Sequence, residues 1–264
     1  MKENPTTMPD LHFLDWRSDG PIATVWLDRP PVNATDHQLY SEIRTFFRNV
    51  PEHLPDARVV VLAGRGKHFC AGNDLSEFQT LDPDNAPERL QLAREAFWAI
   101  YDSPYPVIAA VHGVAVGSGL AIAASCDLVI AAEGARFATP EVNVGVLGGA
   151  KHLSRLVPEG MVRLMHYTGD LYTAEQLLPY GGIAEIVPED RLLEAAGDVA
   201  RSIARHSPVT LRLAKRSLNG IEYRDLKSGY EFEQALTREL SGYEDSKEAV
   251  NAFLERRTPV YTGR

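Results

Sequence analysis

Three neighbouring small residues, Gly117, Ser118 and Gly119, stand where a buried strand is predicted to turn into a helix. Val107–Val116 is a nearly continuous apolar run, as expected for a strand covered on both faces, and an alanine-rich helix is predicted from about Leu120. Glycines permit the tight turn and the close approach of the backbone to a ligand. Because the first amides of a helix lack intrahelical partners and lie at the positive end of its dipole, this turn is predicted to stabilise an oxyanion. The alternative is that the glycines serve only close packing of helix against strand.

A second glycine-bearing loop strengthens the anion-binding interpretation. The apolar segment Arg58–Ala63 predicts another buried strand, and it leads into the loop Gly64–Leu75. The three glycines of this loop leave several amides free to bind a ligand before the chain becomes helical near Ser76–Thr80. Two loops at the ends of two strands can each supply one N–H, and two convergent amides form an oxyanion hole.

These segments resemble the enoyl-CoA hydratase/isomerase family, also called the crotonase family. The resemblance covers nearly the whole chain and rests on Leu27–Ala34, Phe69–Asp74, Gly113–Gly119, Cys126–Asp127, Thr139–Val142 and Glu244–Pro259. It implies an α/β fold, a crotonase-like superhelix of stacked ββα turns with a C-terminal helical trimerisation region. The expected division is an acyl-CoA-binding catalytic core over residues 1–190 and a helical oligomerisation region over residues 191–264.

The pattern of apolar runs and turn residues also predicts alternating strands and helices, as in an α/β protein. The predicted strands are Leu11–Trp16, Ile22–Leu27, 58–63, 107–116 and 127–132, and the predicted helices are Asp36–Val50, 86–102, 119–126, Arg191–His206, Pro208–Asn219 and the long segment 225–257. No sequence repeat of fixed period is visible, so the superhelical stacking follows from the resemblance alone.

Composition limits the choice of partner and compartment. The chain has 264 residues, is 44% hydrophobic and carries a formal net charge of −9 with no block of basic residues, which argues against nucleic acid or an anionic membrane as a partner. Its two cysteines, Cys70 and Cys126, give neither a disulfide framework nor a zinc spacing. Met1–Asp10 lacks the apolar core of a secretory signal, so we expect a cytoplasmic protein.

The resemblance assigns the acid/base role to Glu141. This residue stands in a Pro-Glu pair, where Pro140 keeps the residue before it out of helical conformation. A carboxylate moves a proton beside a thioester carbonyl only in a dry pocket that raises its pKa, and the apolar residues between Val142 and Leu147 are candidates for the walls of that pocket. Without the resemblance, a surface or N-cap glutamate is the more common case.

Ala121 marks a departure from the family's two-acid hydratases, which carry a second glutamate two positions after the last glycine of this turn. Losing that carboxylate weakens hydration in particular, because both acids hold the water. One base remains sufficient to move a double bond. The predicted activity is therefore isomerisation or hydration of an enoyl-CoA. In having a single glutamate, the chain resembles the family's enoyl-CoA isomerases.

Hydrolytic carbon–carbon cleavage is the alternative reaction. The segment Leu147–Arg155 places Lys151 and His152 where the family has small residues, and it resembles more weakly the relatives that open the ring of a cyclic β-keto acyl-CoA. His152 or Asp74 could assist Glu141 there, although a packed or capping role for His152 is at least as common.

Substrate contacts are assigned by the same resemblance. Ala71, Gly72, Asn73, Asp74, Gly117 and Ser118 are expected to bind the thioester and pantetheine arm, with the amides of Ala71 and Ser118 forming the oxyanion hole. Basic residues for the phosphates are sought among Arg29, Arg65, Lys67, Arg256 and Arg257. No metal or separate cofactor is expected, because coenzyme A is part of the substrate and the oxyanion hole supplies the electrophilic assistance.

Two other classes of function remain open. A catalytically silent CoA-binding scaffold is one. RNA binding, which some relatives achieve with a lysine-rich helix, is disfavoured because the corresponding helix Glu88–Trp98 mixes acids with only two arginines. The helical C-terminal third predicts a homotrimer or a dimer of trimers.

Overall fold

A computed structural model describes residues 11–264; Met1–Asp10, and with it the interpretation of that segment, lies outside the described residues. The strands are β1 Leu14–Asp19, β2 Ile22–Leu27, β3 Val59–Gly64, β4 Val107–Val111, β5 Val114–Val116, β6 Leu128–Ala132, β7 Arg136–Ala138, β8 Tyr172–Thr173 and β9 Glu185–Val187. The helices are α1 His37–Arg48, α2 Val50–His53, α3 Leu75–Phe78, α4 Ala86–Tyr101, α5 Ser118–Ser125, α6 Ala150–Leu153, α7 Glu159–Thr168, α8 Ala174–Leu177, α9 Leu192–Ala204, α10 Pro208–Ile221, α11 Leu226–Leu240 and α12 Glu244–Glu255. Short 3-10 turns cover Pro140–Val144, Leu178–Tyr180 and Glu189–Arg191.

The main sheet has the strand order β1-β2-β3-β4-β6-β9, and a smaller sheet has the order β5-β7-β8. In the main sheet β1 and β2 pair antiparallel, whereas the other neighbours pair parallel. This arrangement confirms the predicted α/β class.

Both faces of the central strands are buried, which explains their continuous apolar sequences. One face, with Val60, Leu62 and Ala109, packs in the core cluster that includes buried residues of α1, α4 and α5. The other face, with Val61 and Ile108, packs against the alanines of α9. The boundary predicted at residue 190 therefore separates α9 from the sheet that it covers, and on packing grounds the peripheral helical region begins after Ala204.

Several predicted boundaries need correction. The apolar run 107–116 is two strands, because the chain turns at Gly113 with a φ of 60° and β5 joins the second sheet. The first strand begins at Leu14, three residues later than predicted, and continues to Asp19, because Gly20, with a φ of 56°, allows a two-residue turn into β2. The segment 225–257 forms two helices, α11 and α12, separated at residues 241–243.

None of the helices within residues 11–264 is long and apolar enough to span a bilayer.

Candidate active site

A cavity of about 1050 Å³ lies where the two glycine loops meet α3 and α4. This volume is slightly above the usual range for small-molecule sites, roughly 300–1,000 Å³. Its walls are largely apolar and include Leu75, Phe78, Leu81, Leu90, Leu92, Ala93, Phe97, Val144, Val146 and Leu147. Of the predicted site residues, the cavity is lined by Ala71, Gly72, Asn73, Gly117, Ser118 and Glu141.

The loop after β3 runs as a short extended segment between two neighbours. Cys70 bridges to Ala115 on one side, and Asn73 bridges in parallel to Thr35 on the other. The Thr35 N–H donates to the Gly72 carbonyl at 2.8 Å, and the Asp74 N–H donates to the Thr35 carbonyl at 2.8 Å. Because successive backbone amides of an extended segment point to opposite sides, the Asn73 N–H faces away from Thr35. Within residues 11–264 it has no hydrogen-bond acceptor.

The assignment of the Ala71 amide needs correction. Its N–H donates to the Val32 carbonyl at 3.1 Å, so this donor is already used to hold the loop in place. At the cavity wall, Asn73, two residues later, supplies an amide that has no acceptor among the described residues. Sequence reasoning missed this because the bridge to Thr35, which decides the direction of each amide, joins residues 38 positions apart.

The Ser118 amide is well placed to act as a second donor. Ser118 is the first residue of α5, so its N–H lies at the positive end of the helix and has no intrahelical acceptor. Gly117 turns the chain with a φ of 55°, and a Cβ on Gly117 would lie 3.9 Å from the Gly72 Cα, which shows how closely the loops approach. A Cβ on Gly119 would lie 2.2 Å from the Cys70 carbonyl oxygen, so that position has no room for a side chain.

Glu141 occupies the 3-10 turn Pro140–Val144 and directs its carboxylate toward the same place. Oε1 lies 3.4 Å from the position of a Cβ on Gly117 and 3.0 Å from that of a Cβ on Gly149. Oε2 is buried and has no hydrogen-bond partner among the described residues. Burial raises the pKa of the carboxyl, as a proton-transfer group needs. Glu141 therefore combines a raised pKa with a position at the cavity wall.

Ala121 lies one turn into α5, lines the same cavity and is 2% exposed. It leaves Glu141 as the one acidic residue of the described part of the chain that lines the cavity next to Gly117 and Gly149. The other acidic residue at the cavity wall is Glu77 on α3, whose Oε1 accepts the His37 N–H at 3.0 Å.

His152 and Asp74 do not line the cavity. The His152 ring packs edge-on against Phe97 with centroids 5.1 Å apart, and burial, followed by the nearby Arg155 charge, lowers its pKa to about 4. The imidazole is therefore neutral at neutral pH.

Asp74 serves to cap a helix. Its Oδ1 accepts the Ser76 N–H of α3 at 3.2 Å, and its Oδ2 accepts from Arg29 at 2.9 Å. The bond from the Ser76 hydroxyl and the bond from Arg29 hold the pKa of this carboxyl below its usual range. A carboxylate held in this way is a poor base, so the structure does not support the predicted roles of Asp74 in substrate binding and catalysis.

Most candidate phosphate-binding cations already have anionic partners. Arg29 pairs with Asp36 and Asp74, Arg65 pairs with Asp15, and Arg257 pairs with Glu248 and Glu255. Lys67 and Arg256 form no ion pair within residues 11–264, so they remain candidates for phosphate contacts. The same range contains no cluster of three or more His, Cys, Asp or Glu side chains suited to a metal ion.

Comparison with known proteins agrees with this geometry. Residues 17–264 match the family model described as enoyl-CoA hydratase/isomerase. The chain belongs to the enoyl-CoA hydratase/isomerase family. It has the crotonase fold and is an acyl-CoA-processing enzyme of that family.

Three members illustrate its position within the enoyl-CoA hydratase/isomerase family. The chain is 38% identical over 239 residues to the (7aS)-7a-methyl-1,5-dioxo-2,3,5,6,7,7a-hexahydro-1H-indene-carboxyl-CoA hydrolase of Rhodococcus jostii, covering 90% of this chain and 92% of the relative. It is 33% identical over 253 residues to the short-chain-enoyl-CoA hydratase of Clostridium acetobutylicum, covering 94% and 97%. The solved structure of DspI from Pseudomonas aeruginosa matches with a TM-score of 0.91 at 33% identity, covering 98% of this chain and 100% of the DspI chain.

Proposed function

We propose that this enzyme hydrolyses a carbon–carbon bond in the ring of a cyclic β-keto acyl-CoA, with Glu141 as the acid/base. The thioester oxygen accepts hydrogen bonds from the Asn73 and Ser118 amides, so negative charge that develops on it is stabilised. The acyl ring occupies the apolar part of the cavity. The amide of Ala71, assigned to this role from the sequence, instead fixes the loop.

In the proposed reaction one carboxylate carries out both proton transfers. Glu141 takes a proton from water as the water oxygen bonds to the ring ketone carbon. The bond between that carbon and the carbon next to the thioester then breaks, and its electron pair forms the thioester enolate. Glu141 returns the proton to the enolate carbon. The products are one new carboxylate and a saturated thioester within the same chain.

The observation that carries the proposal is the isolated position of Glu141. Its Oε2 is buried without a partner in the described part of the chain, and the residue lines a large, mostly apolar cavity. Ala121 stands where two-acid hydratases have their second glutamate. Simple hydration uses two acids to hold one water, whereas ring opening and double-bond shifts need one base. The 38% identity to a hydrolase of a dioxo-hexahydroindene-carboxyl-CoA favours ring opening over the other reactions.

Double-bond isomerisation of an enoyl-CoA is the second candidate, and the lone carboxylate favours it as well. Glu141 would take a proton from one carbon and return it at another while the same amides hold the enolate. Hydration of a short enoyl-CoA is less favoured because of Ala121. A non-catalytic scaffold would have no use for a carboxylate with one buried, unpartnered oxygen, because such burial costs free energy.

The test uses 2-oxocyclohexane-1-carboxyl-CoA in water enriched in ¹⁸O, followed by mass spectrometry. Ring opening gives heptanedioyl-CoA with one ¹⁸O in its free carboxylate. Parallel incubations with 3-hexenoyl-CoA and crotonyl-CoA measure isomerisation and hydration, and Glu141→Gln is the inactive control. Isomerisation without any ring opening would favour the second candidate. If none of the three substrates is turned over, the proposed acid/base role of Glu141 is contradicted.

Other expectations about the molecule also stay predictions. The CoA phosphates are expected near Lys67 or Arg256, no separate cofactor is expected, and the location is expected to be cytoplasmic. Assembly as a trimer or a dimer of trimers is also expected.

A further inference from the structure

Four polar side chains form a connected hydrogen-bond network directly behind the two free amides. The Thr35 and Ser118 hydroxyl oxygens are 2.7 Å apart, and the Tyr40 hydroxyl donates to the Asn73 Oδ1 at 2.5 Å. Thr35 Oγ1 lies 3.0 Å from the Tyr40 Oη and 3.2 Å from the Asn73 Oδ1. Thr35, Tyr40 and Ser118 are all buried. The network therefore joins the β3 loop to the start of α5 through α1 and the segment before it.

The chemistry of the groups fixes part of this network. The Asn73 Oδ1 is an acceptor and cannot donate, while each hydroxyl has one proton to give. The Tyr40 proton goes to the Asn73 Oδ1. In the bond between Thr35 and Ser118 either hydroxyl can be the donor.

We infer that Thr35 and Tyr40 are positioning residues that set the separation of the Asn73 and Ser118 amides. This inference rests on the proposed function, in which those amides hold the thioester oxygen. Each residue that supplies a donor amide is also held by its own side chain, so the network fixes both amides before the substrate arrives. Donors that are already fixed stabilise the transition state without having to reorganise during the reaction. A small displacement of either donor therefore lowers the rate considerably.

These contacts lie at the residues that supply the amides of the proposed oxyanion hole. Gly72 separates Ala71, whose amide is used by the loop, from Asn73, whose amide is free. Thr35 forms backbone hydrogen bonds to both residues that flank Asn73, which adds a second hold on the same peptide. Loss of the Thr35 or Tyr40 hydroxyl would leave this backbone bridge intact and remove only the link to Ser118 or to the Asn73 side chain.

The experiment compares Thr35→Val and Tyr40→Phe with Tyr105→Phe. Tyr105 is the matched control, because it is another buried tyrosine whose hydroxyl makes a hydrogen bond, to the Leu54 carbonyl at 3.3 Å, and it does not line the cavity. Two quantities are measured. One is kcat and KM on the ring-opening substrate. The other is the infrared carbonyl stretch of bound butyryl-CoA labelled with ¹³C at the thioester carbon, which reports polarisation by the hole without turnover.

We expect the unmodified enzyme to lower the carbonyl stretching frequency, and both network variants to shift it back toward the free value. We also expect kcat to fall by about tenfold to a hundredfold with little change in KM, since the loss is in transition-state stabilisation. The double variant should lose less than the product of the single losses. The control should keep both kcat and the carbonyl band.

Two results would overturn the inference. If both network variants fold, with unfolding midpoints like that of the control, and keep the lowered carbonyl frequency, the network has no positioning role although the hole itself stands. If the unmodified enzyme shows no lowered frequency, the hole assigned under the proposed function is wrong, and the positioning role fails with it.

Discussion

At the residue scale, Glu141 combines properties that stability alone would not select. One of its carboxylate oxygens, Oε2, is buried without a partner among the described residues, and partial burial raises the pKa of the carboxyl. A buried carboxylate without a hydrogen bond costs stability, and such groups cluster at functional sites. Both features are expected of a base that must take up and release a proton.

Glu141→Gln is expected to lower the main activity by about 10²- to 10⁴-fold, since it removes the proton acceptor but keeps the shape. Binding of the acyl-CoA should survive, because the two amides and the cavity walls are untouched. Steady-state kinetics and calorimetric titration with the CoA substrate measure the two effects. Glu231→Gln, at an exposed position of α11, is the control. Undiminished activity in Glu141→Gln would place the chemistry on another residue.

The same substitution is expected to stabilise the fold in a pH-dependent way. An unfolded glutamate titrates near 4.5, and the folded carboxyl titrates higher, so the folded state binds the proton more tightly. The cost of the charge is absent below pH 4.5 and is complete above the folded pKa. Glu141→Gln should therefore raise the thermal unfolding midpoint at pH 7 but not at pH 4. An equal change at both values would contradict the burial effect.

Ala121→Glu tests whether the absent second acid limits hydration. The unmodified enzyme should hydrate crotonyl-CoA slowly or not at all, and the variant should be faster if the new carboxylate and Glu141 hold a water between them. Absorbance of the enoyl thioester follows the reaction. Because Ala121 is 2% exposed, Ala121→Gln is the control for added bulk without charge. Fast hydration by the unmodified enzyme would show that one acid suffices.

At the element scale, α5 determines the site because its first turn supplies both an amide donor and the cavity wall. It is short and fully buried, with no polar cap at its N-terminus. An uncapped helix N-terminus next to a cavity leaves its amides for a ligand. The close contact of Gly119 with the β3 loop holds this terminus against Asn73.

Gly119→Ala is expected to abolish activity and to destabilise the protein, because the added methyl would meet the Cys70 carbonyl at 2.2 Å. The loop or α5 must move, which separates the two amides. Gly160→Ala on α7 is the control, since no atom lies within 4 Å of its added Cβ. In a helix that change should be neutral or stabilise by roughly 0.5–1 kcal/mol. Kinetics and thermal unfolding measure both variants, and retained activity in Gly119→Ala would contradict the tight packing.

At the scale of the whole molecule, a buried ion pair attaches the C-terminal helices to the core. Lys215 on α10 is 4% exposed, and its Nζ lies 2.8 Å from the Asp127 Oδ2 while also donating to the Ile100 and Tyr105 carbonyls. Asp127 in turn accepts the Val107 N–H at 2.7 Å. The pair thus links α10 to the beginning of β4 and to the end of α4.

Lys215→Met is expected to destabilise the protein by about 3–5 kcal/mol, because it leaves a largely buried Asp127 without its cation. Lys227→Met, at an exposed position of α11, should change stability little. Urea unfolding of both variants measures the difference. Equal stability of the two variants would show that the helices are held by apolar contacts alone.

The oligomeric state predicted for the protein is a trimer or a dimer of trimers. Large apolar side chains stay exposed on the single chain, among them Leu226 and, near the end of α12, Phe253 and Leu254. Burial of such side chains against another copy would stabilise an assembly. Light scattering coupled to size-exclusion chromatography should give the mass of three or six chains. A mass of one chain across working concentrations would contradict the prediction.

The sequence by itself determined the family, the α/β class, the glycine turns and the position of Glu141, because each depends on residue types close together in the chain. Pro140 and Glu141 are adjacent, and the glycines near Ser118 announce their turn locally. The sequence also showed the missing acid at Ala121, since it lies at a fixed spacing from Gly119.

Only the tertiary structure decided which amides are free and which polar groups are already used. The Ala71 amide is taken by Val32 and the Asp74 carboxylate by Arg29, whereas the Asn73 amide is left for a ligand. Hydrogen bonds between distant segments consume donors and acceptors, and local sequence carries no record of that pairing. The same reason hid the contribution of Thr35 and Tyr40: their roles arise where three separate segments meet behind the site.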